Sequence, residues 1–171
     1  MTLPYRRNIR MKKCTLMMLG LMAAASFAAT ASPLQQPTLS LSVANQLAAA
    51  AVQACQSKGY NVSVTVVDHA GLTRAVQRMD NAGQHTVVAS YQKAYTSAST
   101  GMTSGKIMEN AQKNPGAKHM SDIPGFLLLA GGVPVKSGDV TLGAIGVGGA
   151  PGGNLDEACA LQALESVQDN L

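Results

Sequence analysis

LLLAGGVPVK (residues 127–136) running into LGAIGVGGAPGGNLDEACA (residues 142–160) decides how this chain folds. Short apolar runs are broken by glycine pairs, and a run with acidic residues in its first turn follows, the pattern of tight strands leading into a helix. Strands are expected near 126–130, 133–135 and 140–147, separated by turns at Gly131-Gly132 and Ser137-Gly138. Asn154 and Glu157 then have the spacing of a capping box for a last helix reaching about Gln168.

Upstream, Val62, Val64 and Val66 alternate with Ser63, Thr65 and Val67, which predicts a strand over 61–68. His69-Ala70-Gly71 turns it into a second strand over 72–79. A helix is expected from Ser40 or Ser42 to Lys58, with Val43, Leu47, Ala51 and Cys55 on one face and Gly59 as its stop. Two further helices are expected over 84–100 and 104–113, before a loop at 114–125. Strands in runs of two and three joined by tight turns imply antiparallel pairing, since parallel neighbours each need a crossover. The expected fold class is α/β of the α+β type, with helices covering both faces of a five-stranded antiparallel sheet in three α/β/α layers.

The chain of 171 residues opens on a basic segment, Arg6, Arg7, Arg10, Lys12 and Lys13. An uncharged run over 15–31 follows and closes on the small-x-small sequence Ala29-Thr30-Ala31. That is the form of a secretory signal peptide and not of a stable membrane anchor, which would be longer and end on basic residues. Met11 is an equally good start, and Cys14 lies ahead of the apolar run, opposite to its place in a lipoprotein leader. The expected organisation is a leader over 1–31, a flexible Pro/Gln-rich lead-in over 32–38 and one domain over 39–171, in a periplasmic or secreted protein. Without the leader, 8 basic side chains face 9 acidic ones, so a net charge of −1 replaces the +4 of the whole chain. No basic stripe remains for nucleic acid.

Of the three cysteines, Cys55 and Cys159 lie beyond the leader in the first and last predicted helices. They form either a disulfide, if those helices pack side by side, or two buried thiols. CxxC, HExxH, GxSxG and Walker-type sequences are all missing, and Pro151 stands where GxGxxG would need its third glycine after Gly146 and Gly148. The glycine block therefore reads as close packing of a helix on a sheet, and no catalytic residues are assigned.

VVDHAG (66–71), RMDNAG (78–83), KAYTSA (93–98), AGGVPV (130–135) and GAIGVGGAPGGNLDEA (143–158), in this order, resemble the heme-binding HbpS/GlcG-like family, formerly a domain of unknown function. The resemblance spans roughly 39–168. It implies a profilin-like fold, a homo-oligomer, and heme or a related tetrapyrrole as the ligand of some members. It points to an exported heme-binding protein, a scavenger or a sensor's accessory subunit. The alternative is an enzyme or accessory factor acting on small organic acids, of GlcG type.

A heme site needs an axial ligand and a dry pocket. His85 is the first candidate, as heme-iron ligand, because it lies between RMDNAG and KAYTSA; its ordinary role is a solvated residue at a helix start. His119, beside Met120 in a Pro/Gly-flanked loop, is the second, whereas His69 reads as a turn residue. By resemblance Thr96 is similar to a hydroxyl implicated in heme binding, though it can equally bond back to the Gln92 carbonyl. Lys93 and Arg78 are candidates to hold a propionate, or to pair with Asp80.

Overall fold

A computed structural model describes residues 34–171, of which Gln35–Leu171 form one compact unit. The expected leader lies outside the described residues. Ser40 caps the first helix, α1 (Leu41–Gln56), its hydroxyl accepting from Val43 N at 3.2 Å. The hairpin β1 (Ser63–Asp68) and β2 (Thr73–Arg78) follows, then α2 (His85–Thr100) and α3 (Ser104–Lys113). Two 3-10 turns, Pro115–Ala117 and Met120–Asp122, lead to β3 (Gly132–Ser137), β4 (Val140–Gly148) and α4 (Gly153–Val167). Among the described residues no helix is long and apolar enough to cross a membrane.

All strand pairs are antiparallel, in the order β2-β1-β4-β3. The arrangement is thus α+β with a four-stranded sheet, and the five-stranded, profilin-like α/β/α expectation is corrected. Residues 126–130 do not make the fifth strand: Phe126 N and Leu129 N bond to carbonyls of the loop itself, those of Ile123 and Leu127, and two further backbone groups are taken by helix side chains. Thr96 Oγ1 accepts from Leu127 N at 2.9 Å, and Ser104 Oγ donates to Leu129 O at 2.7 Å. An apolar run whose backbone is satisfied in this way has no ladder to join. The start of α4 also differs from expectation. Gly152 is its N-cap, and Glu157 accepts from Gly131 N at 3.3 Å instead of closing a capping box with Asn154.

The two faces of the sheet are built from different chemistry. On one, Val62, Val64, Val66, Val133, Val135, Ile145 and Val147 pack with Leu47, Ala51, Ala160 and Ala163 of α1 and α4 into the main core. Each buried valine there contributes roughly 1.5–3 kcal/mol. Cys55 and Cys159 sit within it, their Cα atoms 5.5 Å apart and their sulfurs bonded as a disulfide linking α1 to α4.

On the other face the buried apolar cluster among the described residues is small, Val67, Ala94 and Ala144 with Tyr91 and Ala98 packed against them. Here α2 is held by buried hydroxyl pairs, Ser63 with Thr86 at 2.7 Å and Thr65 with Ser90 at 2.8 Å. It lies so close to the sheet that a Cβ on Gly146 would meet Ser90 O and the Ala94 backbone N, and one on Gly132 would meet Lys93 O. Gly132, Gly146 and Gly148 therefore form the surface on which α2 rests.

Candidate functional site

That close approach brings the start of α2 beside the loop joining β4 to α4, and a cleft of about 560 Å³ opens between them. Tyr60 and Asn61 line it, together with Asn81, Gly83, His85 and Ala89 at and before the start of α2 and a wall formed by residues 148–153. That wall carries four glycines and Pro151, so ligand atoms can come close to backbone there. Gly149 holds φ +132°, and a Cβ on it would press on Asn61 O and Val62 Cα.

Lys93 and Asp156 form the floor. Their charged ends are 2.7 Å apart, with side chains 1% and 3% exposed. Lys93 Nζ also donates to Val147 O at 2.9 Å, while the second carboxylate oxygen of Asp156 accepts from Ala150 N at 2.9 Å. Asp156 thus ties α2 to the glycine wall. Burial pushes its carboxyl upward from the ordinary value of 3.8, against the pull of the Lys93 hydrogen bond and charge and the Ala150 and Gly149 N–H groups. A pair this deep repays its desolvation at best, so stability alone is a poor reason for a charged pair under an open cleft.

A second groove of about 510 Å³ runs between α3 and α4, lined by Met108, Ala158, Leu161 and Glu157 among others. It shares Leu129 and Gly153 with the first cleft. Among the described residues no three His, Cys, Asp or Glu side chains gather as a metal site.

The residues expected from the sequence separate in space. His85 is exposed on the rim, its ring folded toward Gly83, and Lys93 is on the floor with Asp156 as its partner instead of Asp80. Thr96 is buried and does not line the cleft; its hydroxyl donates to Gln92 O at 2.8 Å while receiving Leu127 N. Arg78 lies outside the cleft and clamps the β2–α2 turn, Nε donating to Ala82 O at 3.0 Å. His119 is exposed in the 115–123 loop, 3.0 Å from Asp122, also away from the cleft lining. Asp156, the partner of Lys93 on the floor, is not among the residues expected from the sequence. In the sequence it reads as the acidic first turn of a helix, and nothing there announces a lysine 63 positions earlier.

Residues 39–165 match the family described as haem degrading protein HbpS-like. The chain belongs to the HbpS-like family. Its fold is similar to that of Streptomyces reticuli HbpS in a double-mutant form, with 37% identity and a TM-score of 0.76, covering 85% of this chain and 98% of that one. It is also similar to Klebsiella pneumoniae protein ORFY, with 27% identity and a TM-score of 0.75 over 81% and 96% of the two chains. Among curated proteins, GlcG of Escherichia coli is 33% identical over 109 residues, 64% of this chain and 80% of GlcG. An uncharacterized 15.0 kDa protein of Citrobacter freundii is 32% identical over 123 residues, 67% and 82% of the two chains. This HbpS-like chain has the same family core, with its cleft between α2 and the β4–α4 loop.

Proposed function

We propose that this HbpS-like chain is an exported, homo-oligomeric protein that binds heme or a related tetrapyrrole, as a scavenger or as the accessory subunit of a sensor. The observation that carries this reading is His85 on the rim of a glycine-walled cleft, an imidazole free to approach iron beside backbone that admits a flat ligand. Family membership and the likeness to HbpS support it. The basic, then uncharged leader ending in Ala29-Thr30-Ala31 supports export. The cleft is open on one side, so a second copy completing the cover over the macrocycle fits an oligomer.

The test is hemin titration of the leaderless chain, followed by the Soret band. Loss of the band with His85→Ala and its retention with His69→Ala and His119→Ala are the expected results. A band lost with His119→Ala and kept with His85→Ala would move the ligand to the 115–123 loop, and no band at all removes the proposal.

The relationship to GlcG favours a second reading, an enzyme or accessory factor for a small organic acid. Thermal stabilisation by such an acid with no response to hemin would select it.

A further inference from the structure

The cleft floor has a chemistry that an iron ligand on the rim does not use. Lys93 has three N–H donors, of which two go to Val147 O and Asp156. Among the described residues, the ionisable side chains lining the cleft are Tyr60, His85, Lys93 and Asp156; Asp156 is the sole carboxylate among them, and Glu157, next in sequence, turns to Gly131 N in the neighbouring groove. Asn61 and Asn81 add neutral amides. Neutralising Asp156 therefore leaves a cleft with a buried cation and no anion of its own.

We infer that the floor of this cleft receives a carboxylate of the ligand on Lys93 Nζ, and that Asp156 takes up one proton from solvent as that carboxylate arrives. The ligand carboxylate replaces the ionised Asp156 as counter-ion, so one negative charge stays opposite the buried ammonium in both states. The exchange conserves charge within the cleft, which makes it cheap in a place where an extra unpaired charge is costly. Asp156 is suited to it, because burial already favours its neutral form. As a neutral acid it still accepts from Ala150 N, so the glycine wall keeps its anchor. The carboxylate belongs either to a tetrapyrrole propionate or to a short free acid. This inference rests on the assignment of the ligand to this cleft, and it concerns the acidic end of the ligand, not the iron.

The experiment uses the leaderless chain with three probes: hemin, hemin dimethyl ester and propionate. Calorimetry in two buffers of different ionisation enthalpy reads the protons taken up. Hemin is expected to bind roughly tenfold or more tightly than its ester, as for loss of a charge-assisted hydrogen bond. Uptake is expected to approach one proton for each carboxylate seated. Asp156→Asn keeps carboxylate binding and abolishes proton uptake, while Lys93→Met removes the preference for hemin over its ester. Proton uptake by the unaltered chain needs no variant to fold. Equal binding of hemin and ester without uptake overturns this inference and leaves the heme reading intact. Propionate bound with uptake and hemin ignored does the reverse, and failure of all three probes overturns both.

Discussion

Thr96 Oγ1 stands 2.9 Å from Leu127 N, across 31 residues of sequence, and also donates to Gln92 O. One hydroxyl thereby fastens the 126–130 segment to α2 and removes it from the sheet. Thr96→Val preserves shape but strands the Leu127 N–H, a loss of about 1–3 kcal/mol. Hydrogen exchange should show the Leu127 amide losing protection ahead of the β1 amides. Unchanged protection there would mean that the segment is held by packing alone.

Gly146→Ala pushes a methyl into the α2 backbone at Ser90 and Ala94, whereas Gly138→Ala meets nothing within 4 Å. Gly138→Ala still costs about 1 kcal/mol, because it puts a side chain on backbone at φ +57°. Gly146→Ala is expected to cost more, about 1–3 kcal/mol or above, since helix and sheet must separate to admit it. Urea midpoints of the two variants compare them directly, and a smaller loss for Gly146→Ala would contradict the close seating of α2.

The Cys55–Cys159 bridge closes a separation of 104 residues. Replacing both cysteines by alanine should lower stability by about 3–5 kcal/mol on the chain-entropy account. Denaturation of the original chain should then depend on added reductant and that of the double variant should not. Insensitivity of the original chain would show that it holds two thiols.

The Asp156 carboxyl is raised in the folded protein, so the folded state keeps a proton over a range in which the unfolded chain has released it. Its contribution is fully present below about pH 3.8 and is lost as pH rises through the folded value. Asp156→Asn removes this titration and leaves Lys93 Nζ without its carboxylate partner. On acidification the original chain should gain stability relative to this variant, read from urea unfolding between pH 4 and 7. A relative loss on acidification would mean that pairing with Lys93 outweighs burial.

Much of the fold is legible in local pattern. Val62 through Val67 alternate as a strand with one apolar and one hydroxyl-bearing face, and Ser40 and Gly59 mark the ends of the first helix, Ser40 as its cap and Gly59 in the left-handed turn that follows it. The 126–130 run misleads because its apolarity is real but its backbone partners come from the loop itself and from Thr96 and Ser104 on α2 and α3. The candidate site was half visible. His85 and Lys93 stand out by their place between motifs, whereas Asp156 looks like an ordinary first-turn acid. Thr96, Arg78 and His119 stand out equally, and each serves a contact outside the cleft.

Local pattern specifies the helices, the β1–β2 hairpin, antiparallel pairing of the strands and the glycines that admit a close helix, because caps, periodicity and turn chemistry act over a few residues. The number of strands, the union of Lys93 with Asp156 and the cleft above them arise from the folded arrangement. Those depend on which distant groups satisfy a buried hydrogen bond or charge, and such partners are chosen by packing, not by spacing along the chain.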